Sequence, residues 1–420
     1  MKILVIGSGG REHAICWKVS QSSHASELHC APGNAGIAEL ATCHPASLND
    51  VDGLAELSET LGIDMTIVGP EAPLVQGIAE AFEARSLRLI GPSAPAARLE
   101  GSKIFAKDFM ARNSIPTARF TVCGSPSAAL GERARDYSFP VVVKADGLAA
   151  GKGVRIAGDP GEFEEAIRAM MIDRVFGEAG SSVVLEECLL GREASLMIFS
   201  DGRDYQVIVP AQDYKRVYDG DLGPNTGGMG SFSTPGLLDD ETLVRVRREI
   251  VEPTLEGMTA EGNPFRGVLY VGLMLTADGP RVIEYNVRMG DPETQAVLMR
   301  LDSDLVEIFE AMLDERIGME QITWSTDSAV CVVAASGGYP GEFKRGMPIS
   351  GLERKTPEGL VVFHSGTATN EQGKLVTAGG RVLGITARDN ALSGARSKAY
   401  DFLGMLNFEG IHYRTDIARV

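Results

Sequence analysis

Val282-Ile283-Glu284-Tyr285-Asn286-Val287-Arg288-Met289-Gly290-Asp291-Pro292-Glu293-Thr294-Gln295 is the stretch on which the reading of this chain turns. It opens as a strand, and side chains alternate across a strand, so Glu284, Asn286 and Arg288 share one face. A hard divalent cation takes oxygen ligands, one or two from protein and the rest from phosphate and water. Glu284 and Asn286 are the candidate ligands, and Arg288 stands one step on as an anion clamp. Gly290 breaks the strand, Asp291 can cap, Pro292 suits a first helical position, and Glu293 onward reads as helix. The resulting helix N-terminus is expected to attract an anion. Taken alone, the same residues also describe a solvated edge strand followed by a capped helix.

Upstream stretches favour the metal reading. Phe139-Pro140-Val141-Val142-Val143-Lys144 is a strand ending in lysine, and it runs into Ala145-Asp146-Gly147-Leu148-Ala149-Ala150-Gly151-Lys152-Gly153. Glycines let such a loop close over phosphates, with Lys144 and Lys152 supplying charge. Only three residues separate Gly147 from Gly151, and Gly153 follows the lysine, so this is not a Walker loop. Ser182–Glu187 is another strand, leading to Glu186, Glu187 and Leu189 and then Glu193. An adenine edge needs a backbone donor and acceptor in an apolar slot, and a ribose diol needs a carboxylate. Glu186, the Leu189 backbone and Glu193 can supply these, although Glu186-Glu187 alone also reads as surface charge. Gln212-Asp213-Tyr214-Lys215-Arg216 and the glycine loop 223–230 complete this middle region.

At the start of the chain, residues 2–6 form a buried-type strand, and Gly7-Ser8-Gly9-Gly10-Arg11-Glu12-His13 turns it into a helix. This is the first unit of a doubly wound domain. The dinucleotide fingerprint fails at Glu12, leaving a turn suited to one phosphate or to nothing more than tight packing. Further strands Glu27–Cys30, Asp64–Val68 and Arg88–Ile90 end near Asn34, near Glu71 and at Gly91-Pro92. Ligands bind at such carboxyl ends in open α/β sheets, though ordinary turn chemistry also explains Asn34 and Glu71.

Composition sets the frame. A chain of 420 residues exceeds one ordinary core, so several domains are expected. A net charge of −17 argues against nucleic-acid or anionic-membrane partners, so a phosphate-bearing ligand must be held by local cations. The six cysteines show no C-x-x-C pairing and read as reduced cytosolic thiols. No apolar run approaches membrane-spanning length, and the N-terminal apolar run is too short for a signal segment. A cytoplasmic monomer acting on small molecules is the expectation.

Eight ordered segments together resemble the phosphoribosylamine–glycine ligase family of the ATP-grasp superfamily. They are IGSGGREHA (6–14), APGNAG (31–36), TIVGPEAPL (66–74), LEGSK (99–103), VVKADGLAAGKGV (142–154), GPNTGGMG (223–230), RMGDPETQ (288–295) and AASGGYP (334–340). The chain departs at Met289, an apolar swap for the family's usual Leu or Phe, and in the strand 267–275, which lacks the further metal-binding Glu of many superfamily members. The resemblance implies an α/β and α+β multidomain fold: an N-terminal doubly wound α/β (pre-ATP-grasp) domain over 1–102, an ATP-grasp body over 103–122 and 191–324, a lid over 123–190, and a C-terminal α/β domain over 325–420.

The resemblance also implies ATP as substrate, Mg²⁺ or Mn²⁺ as cofactor, and ligation of glycine to 5-phospho-β-D-ribosylamine through a glycyl phosphate. Lys103, Lys144 and Lys152 would then face the phosphates, and Glu186, Glu187, Leu189 and Glu193 the nucleoside. Gly9, Gly10, Arg11, Glu12, Asn34, Glu71, Asp213, Arg288, Gly290 and Asp291 would face the other substrates. Glu284 and Asn286 would bind metal, with Lys144 and Arg288 taking part in catalysis. Two alternatives are a bicarbonate-using ATP-grasp carboxylase and a non-catalytic nucleotide-binding module.

Overall fold

The computed structural model describes residues 1–148 and 153–419, the side chains of 134 and 135 aside. The apolar run Lys2–Gly7 lies at the centre of a five-stranded parallel sheet, where Ile3, Leu4, Val5 and Ile6 are fully buried. A strand covered on both faces has no reason to alternate, which is why this one reads as continuous hydrophobics. The sheet order is Thr42–Cys43, Glu27–Pro32, Lys2–Gly7, Met65–Val68, Leu89–Ile90. Thr42–Cys43 is the strand of this sheet that the sequence reading passes over, because neither residue is fully buried and no apolar run marks it as Leu89–Ile90 is marked. The strand order reverses between Lys2–Gly7 and Met65–Val68, and helix Gly10–Val19 leaves from that switch point.

Residues 120–187 form a separate antiparallel sheet in the order Phe120–Cys123, Val183–Glu187, Val141–Ala145, Val154–Ala157. Helices Pro126–Asp136 and Pro160–Ile167 cover one face, each opened by a side-chain cap (Ser125, Asp159) and a proline in the first turn. Val141, Val143, Leu185 and Phe163 share the small core this makes. Lys144 alternates with those valines and is therefore delivered to the opposite face, towards the rest of the molecule.

The third sheet has eight antiparallel strands, in the order Gly279–Asn286, Arg266–Thr276, Arg192–Asp201, Tyr205–Asp213, Gly230–Ser233, Ser328–Ala335, Arg381–Asp389, Leu360–His364. The chain beyond residue 325 therefore continues the sheet of the body, joined through the pairing of Gly230–Ser233 with Ser328–Ala335.

Within the stretch 282–295, two details differ from expectation. The pairing with the neighbouring strand shifts by one residue, with Val282 opposite Leu273 and Glu284 opposite Gly272, so Ile283 is bulged. Val282, Tyr285 and Val287 consequently share the buried face, leaving Glu284, Asn286 and Arg288 on the other. The helix that follows, Glu293–Leu298, is only six residues long and entirely buried. Asp291 does not cap it: one carboxylate oxygen accepts from Gln295 Nε2 (2.8 Å) and the other pairs with Arg381 (2.9 Å). Pro292 takes the N-cap position, and no side chain caps the helix start.

Candidate active site

A cavity of about 800 Å³ opens where the three sheets meet, a size that accommodates a nucleotide with a small co-substrate. It brings together Arg11 and Glu71 from the N-terminal sheet and Lys103 from the next helix. Lys144, Glu186, Glu187 and Leu189 come from the small sheet. Glu193, Asp213, Glu284, Asn286, Arg288, Gly290 and Asp291 come from the body. Gly9, Gly10, Glu12 and Asn34 are not among its lining residues. Lys152 lies outside the described residues.

The glycine turn after the first strand is filled by the chain itself. Glu12 Oε2 accepts from the Gly9 N–H and Oε1 pairs with Arg11 Nε at 2.6 Å, in a capping box that uses the donors expected to serve a phosphate. A Cβ at Gly69 would come within 2.1 Å of Glu12 Oε1, and one at Gly7 within 2.4 Å of Glu12 Cγ. These glycines make room for a glutamate. Gly10 is a close approach of another kind, since its Cβ would meet Gln295 Nε2 and Ser365 Oγ, each at 2.6 Å. Asn34 is likewise committed. Its amide donates to the carbonyls of Ser8 and His364 (2.8 Å each), and its oxygen accepts from the Gly36 and Ile37 N–H groups. Asn34 thus clamps its own loop to the distal strand. Of the N-terminal turn, Arg11 alone reaches the cavity, steadied by the Met289 carbonyl at 3.1 Å.

The strand-borne lysine is fixed from two sides. Lys144 Nζ donates to the carbonyl of the bulged Ile283 (3.0 Å) and lies 2.9 Å from Glu186 Oε1. Glu186 is also paired with Lys107 Nζ at 2.8 Å. Its carboxylate is thus a buried counter-ion between two lysines, at the same time as it lines the cavity. Lys107, which sequence reasoning missed, also donates to Thr117 Oγ1 (2.7 Å), and burial lowers its amine to about 8. The signal was present: Lys103 and Lys107 are four apart on one helix and so face the same way. Lys103 donates only to the Gly147 carbonyl (2.9 Å), so among the described residues it has no carboxylate partner. Glu187 accepts from the Arg119 N–H at 2.9 Å and still lines the cavity.

Arg288 is not a free anion clamp. Nη2 donates to Glu100 Oε1 (2.7 Å) and Asn286 Oδ1 (3.0 Å), Nε to Glu71 Oε2 (3.2 Å), and Nη1 to the Met289 carbonyl (3.3 Å). One of its five N–H donors remains uncommitted. Glu100, unassigned from sequence, also accepts from the Val287 N–H at 2.8 Å. The two carboxylates settle differently. Burial raises Glu100 to about 7 in spite of Arg288, whereas for Glu71 the burial penalty is outweighed by Arg288 and Arg11, which hold it at about 2.

Glu284 and Asn286 sit side by side on the cavity wall, as a metal pair requires. Lys215 Nζ lies 3.2 Å from Glu284 Oε1 and 3.8 Å from Glu193 Oε2. The Lys215 charge, acting against burial, holds the Glu284 carboxyl at about 2, so it is anionic. The described residues contain no group of three His, Cys, Asp or Glu that could hold a metal alone. Two hard oxygens from the protein, with phosphate and water completing the shell, fit Mg²⁺. Asp213 lines the same wall, its carboxylate without a hydrogen-bond partner among the described residues, and burial pushes that carboxyl well above the usual range. Arg381, from the distal part of the eight-stranded sheet, also reaches the cavity, donating to Asp291 and to the Gly227 carbonyl.

Comparison with known proteins agrees over the full length. The chain matches the Phosphoribosylglycinamide synthetase family in its N domain (residues 1–100), its ATP-grasp (A) domain (101–294) and its C domain (329–420). It is 48% identical over 418 residues to a phosphoribosylamine–glycine ligase of Caldanaerobacter subterraneus subsp. tengcongensis, covering 100% of this chain and 99% of that one. The crystal structure of phosphoribosylamine–glycine ligase from Thermotoga maritima superposes with a TM-score of 0.86 at 37% identity, over 99% of this chain and 100% of that one. The biotin carboxylase domain of 2-oxoglutarate carboxylase from Hydrogenobacter thermophilus gives a TM-score of 0.75 at 15% identity, over 98% and 91% of the two chains, a likeness of fold alone.

Proposed function

The chain belongs to the phosphoribosylglycinamide synthetase family, and from that premise we propose that it ligates glycine to 5-phospho-β-D-ribosylamine at the expense of ATP. The products are glycinamide ribonucleotide, ADP and phosphate, in de novo purine biosynthesis. The observation that carries the reading is the convergence, in one cavity, of Lys103 and Lys144 with the oxygen pair Glu284 and Asn286.

The chemistry follows from what glycine lacks. A carboxylate is a poor acyl donor, and phosphorylation turns one oxygen into a leaving group that an amine can displace. The ribosylamine nitrogen is itself the nucleophile, so no serine or cysteine attack is required. Lys103, which makes no ion pair among the described residues, offers the triphosphate one positive charge, and Lys144, immobilised by Ile283 and Glu186, offers a second at a fixed point. Glu284 and Asn286 would hold Mg²⁺ or Mn²⁺, which supplies charge neutralisation for phosphoryl transfer. Glu193 and the Leu189 backbone serve the nucleoside, Arg11 the sugar phosphate, and Asp213 an ammonium group. Arg288 aligns the site with its remaining donor. An acyl phosphate does not survive water, so turnover requires the site to exclude it. The proposal extends to a monomer that works on small molecules in the cytoplasm.

ADP release with glycine and freshly made phosphoribosylamine, each omitted in turn, tests this. We expect turnover only with both present. Full turnover with bicarbonate replacing glycine would overturn the reading in favour of a carboxylase.

A further inference from the structure

Arg414 is 1% exposed and none of the chemistry above uses it. Its guanidinium forks onto Asp416, with Nε to Oδ1 at 2.7 Å and Nη2 to Oδ2 at 2.6 Å. Such a bidentate pair would serve a purely structural arginine. Nη1, however, points the other way, donating to Asp221 Oδ1 (2.7 Å) and to the backbone carbonyl of Arg216 (3.1 Å). Both partners belong to a hairpin, Arg216–Tyr218 paired with Leu222–Asn225, that is joined to no other strand among the described residues. A lone two-stranded hairpin is marginal in water and needs an external hold. The segment around Arg414 provides one at the tip as well, where the Gly220 N–H donates to Asp416 (2.8 Å) and the Thr415 N–H to Asp219 (2.7 Å). The hairpin's base is the cavity wall: Arg216 lines the cavity, and Lys215 before it bridges Glu284 and Glu193.

We propose that Arg414 is a positioning residue for the nucleotide side of the cavity, bracing this hairpin so that Lys215 stays between Glu284 and Glu193. Only the identity of the ligand as a nucleotide rests on the ligase reading. Apart from the brace, the hairpin is held by the Thr226 contacts to the Lys215 carbonyl (2.8 Å), by His412 on the Val217 carbonyl (2.9 Å) and by burial of Val217 against Met229 and Ala335, and of these only the Thr226 contacts act at Lys215 itself.

The test is equilibrium binding of a non-hydrolysable ATP analogue with Mg²⁺, measured beside thermal melting, for wild type, Arg414→Gln and Asp219→Ala. Asp219 is exposed and lies outside the cavity, so the second variant loosens the hairpin tip even if the first folds poorly. Losing one or two hydrogen bonds that set geometry corresponds to about a tenfold weaker Kd for Arg414→Gln, and a smaller change in the same direction for Asp219→Ala. Unchanged Kd in both variants, with or without a lower melting temperature, means that Arg414 only packs, and overturns the proposal. Glycine-dependent ADP release by wild type is scored separately. Its absence would sink the ligase reading while the nucleotide titration still decides the brace.

Discussion

Two carboxylates share Arg288, and they do not share it equally. Glu71 is the more exposed side chain (26% against 8% for Glu100) and has Arg11 as a second cation, so it ionises easily. Glu100 is deeper and keeps its proton to about 7, against an ordinary 4.5. The native state therefore binds that proton more tightly than the unfolded chain does, and stability falls as pH rises from 4.5 to 7. Glu71 and Glu284 act in the opposite sense: their contribution is complete above 4.5 and is lost as pH falls towards 2. Glu100→Gln removes the first dependence and leaves the second. Relative to wild type, the variant should gain stability between pH 5 and pH 8, by roughly 3 kcal/mol if the whole shift is realised. Denaturant melts of both proteins at the two pH values measure it. A gap that does not move with pH would mean that Glu100 ionises as an ordinary surface acid.

The turn between the first strand and its helix shows how an element is shaped by a single side chain. The turn Gly7-Ser8-Gly9-Gly10 reads, in sequence, as suited to one phosphate or to tight packing; in the fold Gly7 and Gly9, joined by Gly69, leave room for Glu12, which caps its own helix at the sheet's switch point. Gly69→Ala should cost about 1–3 kcal/mol through overpacking, since the new methyl runs into the Glu12 carboxylate. With Glu12→Ala in the same chain the clash disappears, so the double variant should be more stable than the two single losses combined would allow. Urea unfolding of the four proteins supplies the comparison. Strict additivity would place the Glu12 side chain elsewhere. The bulge at Ile283 is the second such device. It turns the polar triad away from Val282 and frees a carbonyl that Lys144 takes up.

Across the whole molecule, the eight-stranded sheet makes the last hundred residues part of the site. Ser328–Ala335 is buried at every position and pairs on both sides, with Gly230–Ser233 and with Arg381–Asp389. From the neighbouring strand Arg381 reaches Asp291 and the cavity. Cutting the chain at residue 324 would bare an apolar edge on both pieces, the arrangement that natural sheets avoid. Residues 325–420 expressed alone should aggregate, and co-expression with 1–324 should restore a soluble complex. Size-exclusion chromatography distinguishes the outcomes, and a soluble, monomeric 325–420 fragment would show that the shared sheet is dispensable.

Much of this was legible without coordinates, because it depends on neighbours in sequence. Side-chain alternation brought Glu284, Asn286 and Arg288 to one face. Glycine and proline marked where strands stop, and continuous apolar runs marked the buried parallel strands. Backbone sterics act over a few residues, so a few residues suffice to read them. The strand Thr42–Cys43 escaped because it lies at the sheet edge with neither residue fully buried, so no apolar run announces it. What only the tertiary structure decided is which charges are free. Arg288 meets Glu100 and Glu71 from 188 and 217 residues away, and Glu186 receives Lys107 from 79 and Lys144 from across the small sheet. Lys103 meets no carboxylate among the described residues. Electrostatic partnership depends on burial and on distance in space, and local pattern encodes neither.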